Sequence, residues 1–484
     1  MFVGLDLGTS GLRALLIDAS QNVIAAREAI YDTTRPHSGW SEQTQSSWID
    51  ACKDVFAQLK ADFPHEVAAI KGIGISGHMH GANLLDDTGT PLRPCMMWND
   101  TRSVDQAAKL DRTPNVRDLS GNIVFPGFTA PKVAWVADNE PDLFEKTAKV
   151  LLPKDYLNFW FTGVYASDMS DSAGTSWLDV GTRNWSETLL AASGMRADQM
   201  PALFEGSEAI GPVQDTIAAQ LGLPKGVIVA AGAGDNAAAA CGIGALNEGD
   251  GFVSLGTSGV LLTGRGAYAP KPESAVHTFC HAVPGRWYQM GVILAATDSL
   301  NWLAKNLGQS PADLSKALGD SISGPGTMRF LPYLSGERTP HNDAEIRGAF
   351  LNIDINAGPE ALTQAVLEGV AFALRDNYEA LKSTGAHLDH LIAIGGGAQS
   401  PYWVELIATL LDLPVSLPEA GEFGAALGAA RLAICAATGA DPEAVMTKPA
   451  IGTTVPPRSE LRDSYETAYA GFVKSYPGIK ALQQ

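Results

Sequence analysis

The sequence predicts an α/β protein made of two similar halves. Its 484 residues are enough for two or three domains of ordinary size. Short apolar runs that end in glycine-rich turns are mixed along the chain with segments of helical periodicity, a pattern typical of α/β proteins. The string Leu-Gly-Thr-Ser-Gly occurs at residues 7–11 and again 248 residues later. A repeat at about half the chain length indicates two domains of one design.

The two copies of this string lie in matching surroundings. The first copy lies between apolar runs at 2–5 and 12–17, and the second lies between shorter runs at 252–253 and 260–262. Each copy therefore predicts a strand, a tight turn that begins right after the first run, and a second strand.

The boundary between the halves is predicted in the polar, glycine-rich segment 244–251, just before the second copy. This gives domains at 1–245 and 246–484 with a hinge between them. The clearest helix is predicted over 359–381, where apolar residues recur every four positions and Gly385 follows as a terminator.

Composition and charge narrow the class of protein. Hydrophobic residues make up 45% of the chain and charged residues 18%, so much of the chain is expected in compact layers. The net charge of −19 disfavours nucleic acid as a partner. The five cysteines are odd in number and widely spaced, which indicates a reducing compartment. The chain has no secretory leader pattern and no long apolar window, so we expect a cytoplasmic protein without a membrane partner.

Three glycine-rich turns are candidates for phosphate or nucleotide binding. Glycine allows the backbone N–H groups of a turn to converge on an anion, and the turns at 8–10 and 256–258 add hydroxyl groups. A third turn, at 395–400, follows an apolar run and could let a nucleotide approach the backbone closely. Each turn could instead serve only to connect two elements.

Asp6 distinguishes the first copy of the repeat from the second, which has Ser254 at the matching position. A carboxylate next to a phosphate-binding turn is repulsive unless a cation lies between them, so Asp6 indicates magnesium. The alternative is that Asp6 only caps the hairpin turn.

Asp235 is the candidate general base. It follows the apolar run 227–231 and a glycine-rich turn, and an alanine-rich helix begins after it. A carboxylate at the end of a strand could accept the proton of an alcohol that attacks a γ-phosphoryl group. The alternative is that Asp235 only caps the helix.

Other cofactor motifs are weaker. The segments 72–77 and 232–237 match the dinucleotide pattern G-x-G-x-x-G or its alanine variant. The first match lies inside a predicted strand, and the second would place the negative charge of Asp235 against a pyrophosphate. The context of both matches therefore disfavours a nicotinamide or flavin enzyme. The chain contains no P-loop motif. A zinc hydrolase is also disfavoured, because no metal-binding motif supports the histidine pairs at 78/80 and 277/281.

Together these segments resemble the FGGY family of carbohydrate kinases, which have the actin-like ATPase fold. The stretch 127–139 is similar to the first signature of that family. Further similar segments, spread over nearly the whole chain, are 39–43, 98–102, 234–236, 254–259 and 395–398.

The resemblance implies two ribonuclease H-like domains with mixed sheets and a central cleft, with the sugar and magnesium on the N-terminal side and the nucleotide on the C-terminal side. It also implies ATP and Mg²⁺ as cofactors, a small ketose as substrate and a homodimer. Segments 77–81, 152–157, 167–171 and 330–340 look most like the branch of the family that phosphorylates D-xylulose. Another pentulose or polyol kinase, for ribulose, glycerol or gluconate, and a non-catalytic sugar or ATP sensor remain alternatives.

The same resemblance assigns roles to the candidate residues. Asp235 matches the general base of the family and Asp6 its magnesium-side carboxylate. Met79, His80 and Asn236, together with Asp235, match its sugar contacts. The positions that match those around the ATP phosphates and nucleoside are Thr9, Ser10, Gly256, Thr257, Gly396 and Gly397.

Asp100 and Arg102 are predicted to support the cleft without touching the substrates. They have opposite charges and lie in one of the segments that resemble the family. Because a guanidinium group binds a carboxylate with two parallel hydrogen bonds, we expect an ion pair that shapes the cleft.

Overall fold

The computed structural model describes residues 1–419 and 424–483 and contains two large mixed β-sheets with helices on both faces. The strands of the first half are β1 (Phe2–Leu7), β2 (Gly11–Ile17), β3 (Val23–Ile30), β4 (Glu42–Gln43), β5 (Gly72–Gly77), β6 (Asn83–Leu85), β7 (Cys95–Met96), β8 (Lys149–Leu151), β9 (Ala166–Asp168), β10 (Leu178–Asp179), β11 (Asn184–Trp185), β12 (Ala202–Phe204), β13 (Ala209–Pro212), β14 (Ile228–Ala230) and β15 (Ala233–Gly234). Its helices are α1 (Gln45–Asp62), α2 (Pro64–Val67), α3 (Val104–Asp111), α4 (Val116–Ser120), α5 (Thr129–Asn139), α6 (Pro141–Glu145), α7 (Pro153–Thr162), α8 (Met169–Ser172), α9 (Glu187–Ala192), α10 (Asp215–Leu221) and α11 (Asp235–Ile243).

The second half contains fewer and longer elements. Its strands are β16 (Gly251–Leu255), β17 (Gly259–Arg265), β18 (His277–Cys280), β19 (Trp287–Ile293), β20 (Arg329–Leu331), β21 (Ala349–Leu351), β22 (Leu391–Ile394), β23 (Val415–Pro418) and β24 (Ile451–Val455). Its helices are α12 (Thr297–Leu307), α13 (Pro311–Ala317), α14 (Pro359–Ser383), α15 (Pro401–Leu411), α16 (Gly424–Thr438), α17 (Pro442–Val445) and α18 (Arg462–Gln483). Among the described residues, no helix is both long and apolar enough to cross a membrane.

The two large sheets repeat one strand order. It is β3-β2-β1-β5-β14 in the first sheet and β19-β17-β16-β22-β23 in the second. In both sheets the first three strands pair antiparallel, and the following pairs are parallel. The repeated string forms the β1–β2 turn in one sheet and the β16–β17 turn in the other. The predicted α/β fold with two similar mixed sheets is therefore confirmed.

The hydrophobic core forms in layers. Helices α1, α7 and α10 cover the outer face of the first sheet, and α12, α14, α15 and α18 cover the outer face of the second. Helices α11 and α16 lie between the sheets, in a cluster that includes residues of both. The five cysteines are all buried and free within the structure.

The side chains of β1 alternate between the outer helix layer and the space between the sheets. Positions 3, 5 and 7 belong to the outer cluster, whereas Phe2 belongs to the cluster between the sheets. Because successive residues of a strand point to opposite faces, Asp6 faces the same side as Phe2. Ser254 has the equivalent place on β16, where Phe252 also faces the space between the sheets.

Asp6 lies in a strand, which corrects the prediction that the first turn begins at this residue. Strand β1 continues to Leu7, because Asp6 pairs with Arg13 of β2 on one side and with Ser76 of β5 on the other. Hydrogen bonding on both edges therefore extends the strand beyond the apolar run, and the turn contains only residues 8–10.

Helix α16 comes late in the chain but packs against the first sheet and against α11. This packing is very close. A β-carbon added at Gly74 of β5 would lie 1.9 Å from the carbonyl oxygen of Ala429, and one at Gly428 would lie 1.8 Å from that of Ala238 in α11. Glycine is therefore required at both positions, and the small residues of these elements allow the two halves to pack together.

The helix predicted over 359–381 is confirmed as α14, Pro359–Ser383. Proline occupies the first helical position, where its missing N–H group costs nothing. Gly385, with a φ of +84°, follows the helix end as predicted. Sixteen residues of α14 are buried, so the helix is a central part of the second core.

Candidate active site

A cavity of about 270 Å³ lies between the two halves of the molecule. Six of the predicted site residues line it from the first half: Asp6, Thr9, Met79, His80, Asp235 and Asn236. The second half contributes Ser258, Met290 and Arg338, among others. The fold therefore brings together residues that are more than 200 positions apart in the sequence.

Asp6 enters this cavity from β1. The hydroxyl of Ser76, on the neighbouring strand β5, donates a hydrogen bond of 2.7 Å to its Oδ1 atom. Burial raises the pKa of the Asp6 carboxyl, whereas the Ser76 bond and the charge of Arg13 oppose this rise. No residue in the described part of the chain donates a hydrogen bond to Oδ2. A carboxylate oxygen of this kind is a ligand that Mg²⁺ prefers.

Asp235 enters the same cavity as the first residue of α11. The helix cap is Gly234, not Asp235, so the capping role considered for Asp235 is not observed. Its Oδ1 atom accepts hydrogen bonds from the backbone N–H of Asn236 at 2.7 Å and from the Asn236 side chain at 2.9 Å. Burial raises the pKa of Asp235 to about 6, and the nearby charge of Asp6 adds to the rise while the Asn236 bonds oppose it.

His80 is held as a neutral hydrogen-bond acceptor. Its Nδ1 atom lies 2.7 Å from the carbonyl oxygen of Gly174, and because a carbonyl only accepts, Nδ1 carries the proton. Burial lowers the pKa of His80 to about 3, so the ring is neutral at pH 7 and Nε2 has a free lone pair. Beside it, Met79 accepts a weak hydrogen bond from the hydroxyl of Tyr288, in the second half.

Helix α5, within the stretch that resembles the family signature, supports His80. The ring of Phe128 stacks on the His80 ring with centroids 4.4 Å apart. The hydroxyl of Thr129 and the ammonium of Lys132 donate to the His80 carbonyl at 3.1 and 2.9 Å. His80 has a φ of +72°, a strained conformation that these contacts stabilise. The signature residues therefore fix the wall of the cavity.

The first glycine turn is held from several sides. Tyr31 donates to the carbonyl of Gly8 at 2.6 Å, and Gln43 donates to that of Thr9 at 2.6 Å. The indole N–H of Trp98 donates to the hydroxyl of Thr9 at 3.0 Å, which fixes this hydroxyl at the cavity. Ser10 is exposed at the tip of the turn and does not line the cavity.

In the second glycine turn, Gly256 and Thr257 line neither the first cavity nor a second one within the described part of the chain. The carbonyls of Gly256 and Thr257 accept hydrogen bonds from the start of α12, including one of 2.8 Å from the hydroxyl of Thr297. Ser258 of this turn lines the first cavity, and Thr297 lines the second.

The second cavity has a volume of about 570 Å³ and belongs to the second half alone. Gly396 and Gly397 line it, together with Ser400 and Trp403. A β-carbon at Gly397 would lie 2.8 Å from that of Leu255, so this position has no room for a side chain. The third glycine turn therefore forms the wall of a large pocket.

Asp100 and Arg102 form the predicted ion pair. The guanidinium of Arg102 binds both carboxylate oxygens of Asp100, at 2.9 and 2.6 Å. It also reaches Glu42 at 2.7 Å and stacks on the ring of Trp40, 3.5 Å from its centroid. Asp100 and Arg102 are almost fully buried, and Asp100 accepts from the backbone N–H of Ser41. The pair joins separate loops near the cavity.

A buried charge cluster lies behind Asp235. The ammonium of Lys154 lies 2.8 Å from Asp168 and 3.8 Å from Asp171, and it also contacts Asp155. Burial raises the pKa of Asp171, and the charges of the other carboxylates contribute to this rise. Asp168 accepts from the hydroxyl of Ser170, and that hydroxyl accepts the backbone N–H of Gly234. The cluster thus holds the backbone immediately before Asp235.

Several residues that line the cavity had no role in the sequence analysis. They are His78, Trp98, Phe128 and Arg338. Trp98 and Phe128 lie in segments that resemble the family, so the resemblance pointed to their neighbourhood but not to their contacts. Arg338 also lies in such a segment, 330–340, but the resemblance gave it no role, and the folding of the second half brings it to the cavity.

Two family models match this chain. The N-terminal domain of the FGGY family of carbohydrate kinases matches residues 1–242, and the C-terminal domain of the same family matches residues 251–437. The two matches together include most of the chain and all of the candidate site residues.

The chain is also similar to curated proteins named xylulose kinase. The protein from Escherichia coli (strain K12) is 45% identical over 441 residues, which are 90% of this chain and 90% of that protein. The protein from Bacillus subtilis (strain 168) is 36% identical, over 89% of this chain and 87% of that protein.

Solved structures agree with these matches. A protein from Brucella ovis described as a “xyloylose kinase” is 57% identical and superimposes with a TM-score of 0.97, covering 99% of each chain. The xylulose kinase from Rhodospirillum rubrum is 28% identical, with a TM-score of 0.91 over 100% of this chain and 99% of that one. The chain therefore belongs to the FGGY family of carbohydrate kinases and is a phosphotransferase with the actin-like ATPase fold.

Proposed function

We propose that this chain transfers the γ-phosphoryl group of ATP to the 5-hydroxyl of D-xylulose and forms D-xylulose 5-phosphate. The observation that carries the proposal is that Asp6 and Asp235 face one cavity, which also contains Met79 and His80. The relatives named xylulose kinase support the choice of sugar, since one of them is 45% identical over 90% of the chain. Ribulose, glycerol and gluconate remain alternative acceptors without an observation that favours them.

Asp235 is the proposed general base. With a pKa raised to about 6, its carboxylate is a better proton acceptor than an ordinary aspartate and is still ionised at neutral pH. The two hydrogen bonds from Asn236 hold one carboxylate oxygen, which orients the group. Because phosphoryl transfer has a loose transition state, proton transfer is late and positioning supplies much of the rate.

The sugar is proposed to bind between His80 and Asp235. The free Nε2 of His80 accepts a hydrogen bond from a sugar hydroxyl, and the carboxylate of Asp235 accepts one from the hydroxyl that is phosphorylated. Asn236 and Met79 contact the sugar from the same wall. Closure of the two halves excludes water, which would otherwise compete for the phosphoryl group.

The nucleotide is proposed to occupy the second cavity, with its phosphates extending past the second glycine turn toward Asp235. A volume of about 570 Å³ is typical of small-molecule sites. Gly396 and Gly397 permit close approach of the nucleoside. Gly256 and Thr257 belong to the turn whose Ser258 lines the first cavity and whose carbonyls bind the start of α12. Thr9 and Ser10 approach the phosphates from the opposite half.

The residues that line the first cavity fit magnesium. The Oδ2 atom of Asp6 and the hydroxyl of Thr9 are oxygen donors of the kind that Mg²⁺ prefers, and they lie at the same cavity. When bound there, Mg²⁺ neutralises negative charge on the phosphates of the nucleotide. Asp6 would hold the ion, and Ser76 orients the carboxylate of Asp6 through its hydrogen bond.

The domain division at 1–245 and 246–484 and the homodimer remain proposals. The division is supported by the gap between the last strand of the first sheet, which ends at Gly234, and the first strand of the second, which begins at Gly251. Helix α16 crosses the division, because it follows the second sheet in sequence but packs on the first. The homodimer can be tested by light scattering on the purified protein.

The role of Asp235 is tested by Asp235→Asn. Because the amide cannot accept the proton, we expect kcat with D-xylulose to fall on the order of a thousandfold or more. We expect folding and ATP binding to be preserved. Asp215→Asn is the matched control, since Asp215 is also the first residue of a helix but is exposed and pairs with Lys225. Near-normal turnover of Asp235→Asn would contradict the assignment.

The choice of acceptor is tested by ADP production from ATP with a panel of D-xylulose, D-ribulose, glycerol and gluconate. We expect the highest kcat/KM with D-xylulose. A higher value with another acceptor would change the substrate but leave the role of Asp235 in place. Sugar-independent ADP production alone would contradict a sugar kinase.

A further inference from the structure

Arg338 is fixed at the wall of the first cavity by its neighbours. The carboxylate of Glu337 accepts hydrogen bonds from the backbone N–H groups of Arg338 at 2.7 Å and Leu294 at 3.1 Å. Thr339 and Val292 exchange two further hydrogen bonds, of 3.0 and 3.1 Å. Since Val292 belongs to β19 and lines the cavity, these bonds hold Arg338 from both sides of its backbone.

The guanidinium group of Arg338 lies at the aromatic end of the cavity. Its central carbon is 4.5 Å from the centroid of the Phe125 ring. Phe125 contacts Phe128 at 5.5 Å between centroids, and Phe128 stacks on His80. His80, Phe128 and Arg338 line the cavity, and Phe125 contacts both Arg338 and Phe128, so Arg338 lies near the part of the wall formed by His80 and Phe128.

This guanidinium has no protein acceptor. Within residues 1–419 and 424–483, no carboxylate, carbonyl or hydroxyl accepts a hydrogen bond from the Arg338 side chain, and no ion pair includes it. A guanidinium carries five N–H donors and no acceptor, and its charge persists at every physiological pH. By contrast, Arg102 and Arg183, which belong to the first half, are paired with carboxylates.

Three polar side chains that line the cavity, those of Asp6, Asp235 and His80, face it as acceptors. The carboxylates of Asp6 and Asp235 only accept, and the Nε2 atom of neutral His80 also accepts. One of the two side-chain N–H groups of Asn236 already donates to Asp235. Arg338 is the cationic donor among the described residues that line the cavity. Sugar hydroxyls can bind to such acceptors because they donate, but the carbonyl oxygen of a ketose carries no proton and needs a donor. Arg338 carries donors of this kind at the cavity wall, and none of them binds an acceptor in the described part of the chain.

We propose that Arg338 donates hydrogen bonds to the carbonyl oxygen of the ketose and so selects ketoses over polyols. The inference rests on the proposed sugar kinase function and adds to it the residue that recognises the carbonyl group. Arg338 is then a substrate-binding residue, contributed by the half opposite to that of Asp235 and His80.

The test compares a ketose with a polyol of the same chain length in the full-length protein. The variants are Arg338→Met, which keeps much of the side-chain volume without donors, and Arg338→Lys, which keeps the charge without the planar fork. Arg196→Met is the matched control, because Arg196 is exposed and pairs only with Asp198. The substrates are D-xylulose and D-arabinitol, which has a hydroxyl in place of the carbonyl.

For Arg338→Met, we expect the KM and the calorimetric Kd for D-xylulose to rise about 10- to 100-fold, as for the loss of a charge-assisted hydrogen bond. We expect the KM for ATP, and the kcat/KM for D-arabinitol, to change less than about threefold, since the polyol offers no carbonyl. Arg338→Lys is expected to recover part of the affinity. If Arg338→Met does not fold, as judged by its thermal unfolding, the comparison is made with Arg338→Lys.

Three results would overturn the inference. A fall in kcat with an unchanged Kd for D-xylulose would place Arg338 on the transferring phosphoryl group instead. Equal losses with the ketose and the polyol would indicate general packing. A wild-type protein that prefers the polyol would exclude carbonyl recognition. If the wild type instead prefers another ketose, the proposed substrate fails, and the same comparison with that ketose and its polyol still tests Arg338.

Discussion

At the scale of single residues, one physical cause sets the protonation states of Asp235 and His80, the two ends of the proposed sugar site. Burial disfavours the charged form of every ionisable group, so it raises the pKa of the Asp235 carboxyl to about 6 and lowers that of His80 to about 3. At pH 7 the carboxyl is an anion and the imidazole is neutral. Both groups are therefore hydrogen-bond acceptors for sugar hydroxyls, and only one of them is basic enough to take a proton.

The pKa of Asp235 predicts the acid side of the pH profile. Only the carboxylate can accept the proton, so kcat/KM for the sugar is expected to fall as the pH drops through about 6, approaching a tenfold loss per unit below it. The measurement is kcat/KM at saturating ATP between pH 5 and 8, with the coupling enzymes in excess. A kcat/KM that stays constant down to pH 5 would contradict the effect of burial.

The same pKa shift has a consequence for stability. The carboxyl of Asp235 has an ordinary pKa of 3.8, which burial raises to about 6 in the folded protein. The raised pKa makes a contribution to the free energy of unfolding that is fully present below about pH 4 and is lost as the pH rises through about 6. The reason is that Asp235 ionises less readily in the folded state than in the unfolded state. At pH 7, Asp235→Asn is therefore expected to unfold at a temperature no lower than that of the wild type.

At the scale of secondary structure, glycine decides how closely helices and strands approach. Helix α16 lies against β1 and β5, and it crosses α11 in the layer between the sheets. The atoms nearest to a β-carbon at Gly74 belong to the backbone of α16, which cannot rotate away as a flexible side chain can. These glycines therefore fix the spacing of the helix and the sheet, and with it the position of Asp235 at the start of α11.

Gly74→Ala is expected to destabilise the protein by about 1–3 kcal/mol or more, because the added methyl group overpacks a backbone contact. The measurement is the midpoint of urea unfolding. Gly266→Ala is the control, since no atom lies within 4 Å of the added β-carbon at Gly266. Equal midpoints for the two variants would show that α16 can shift without cost.

At the scale of the whole molecule, the two halves share the walls of one cavity. Asp6, His80 and Asp235 come from the first half, and Ser258 and Arg338 come from the second. A sugar that binds residues of both halves favours the arrangement in which the walls are closer together. The helix pair α11 and α16 lies between the sheets, where a small sliding movement would change the width of the cavity.

Closure can be measured in solution. We expect D-xylulose to reduce the radius of gyration in small-angle scattering and to change the fluorescence of Trp98, which is 38% exposed and lines the cavity. A sugar alcohol that is not phosphorylated, at the same concentration, is the control for osmotic effects. If scattering and fluorescence both stay unchanged, the two halves do not close on the sugar.

The sequence by itself determined the fold class, the two similar halves and the positions of the glycine-rich turns. These features depend on local patterns, namely the alternation of apolar residues, the glycine-rich turns and the repeated string at 7–11. The family resemblance added roles for Asp6, Asp235 and the other candidate residues, and these roles stay predictions. The first turn was predicted to begin two residues too early, at Asp6, because pairing on both sides of β1 continues beyond its apolar run to Leu7.

Only the tertiary structure decided which distant side chains meet. Arg338 lies in segment 330–340, which resembles the family, but the resemblance gave Arg338 no role and did not indicate that its guanidinium lies on Phe125 in the first half. In the same way, the closeness of α16 to Gly74 depends on the path of the chain back to the first sheet. Such contacts arise from packing between elements that are far apart in sequence, and local periodicity carries no information about them.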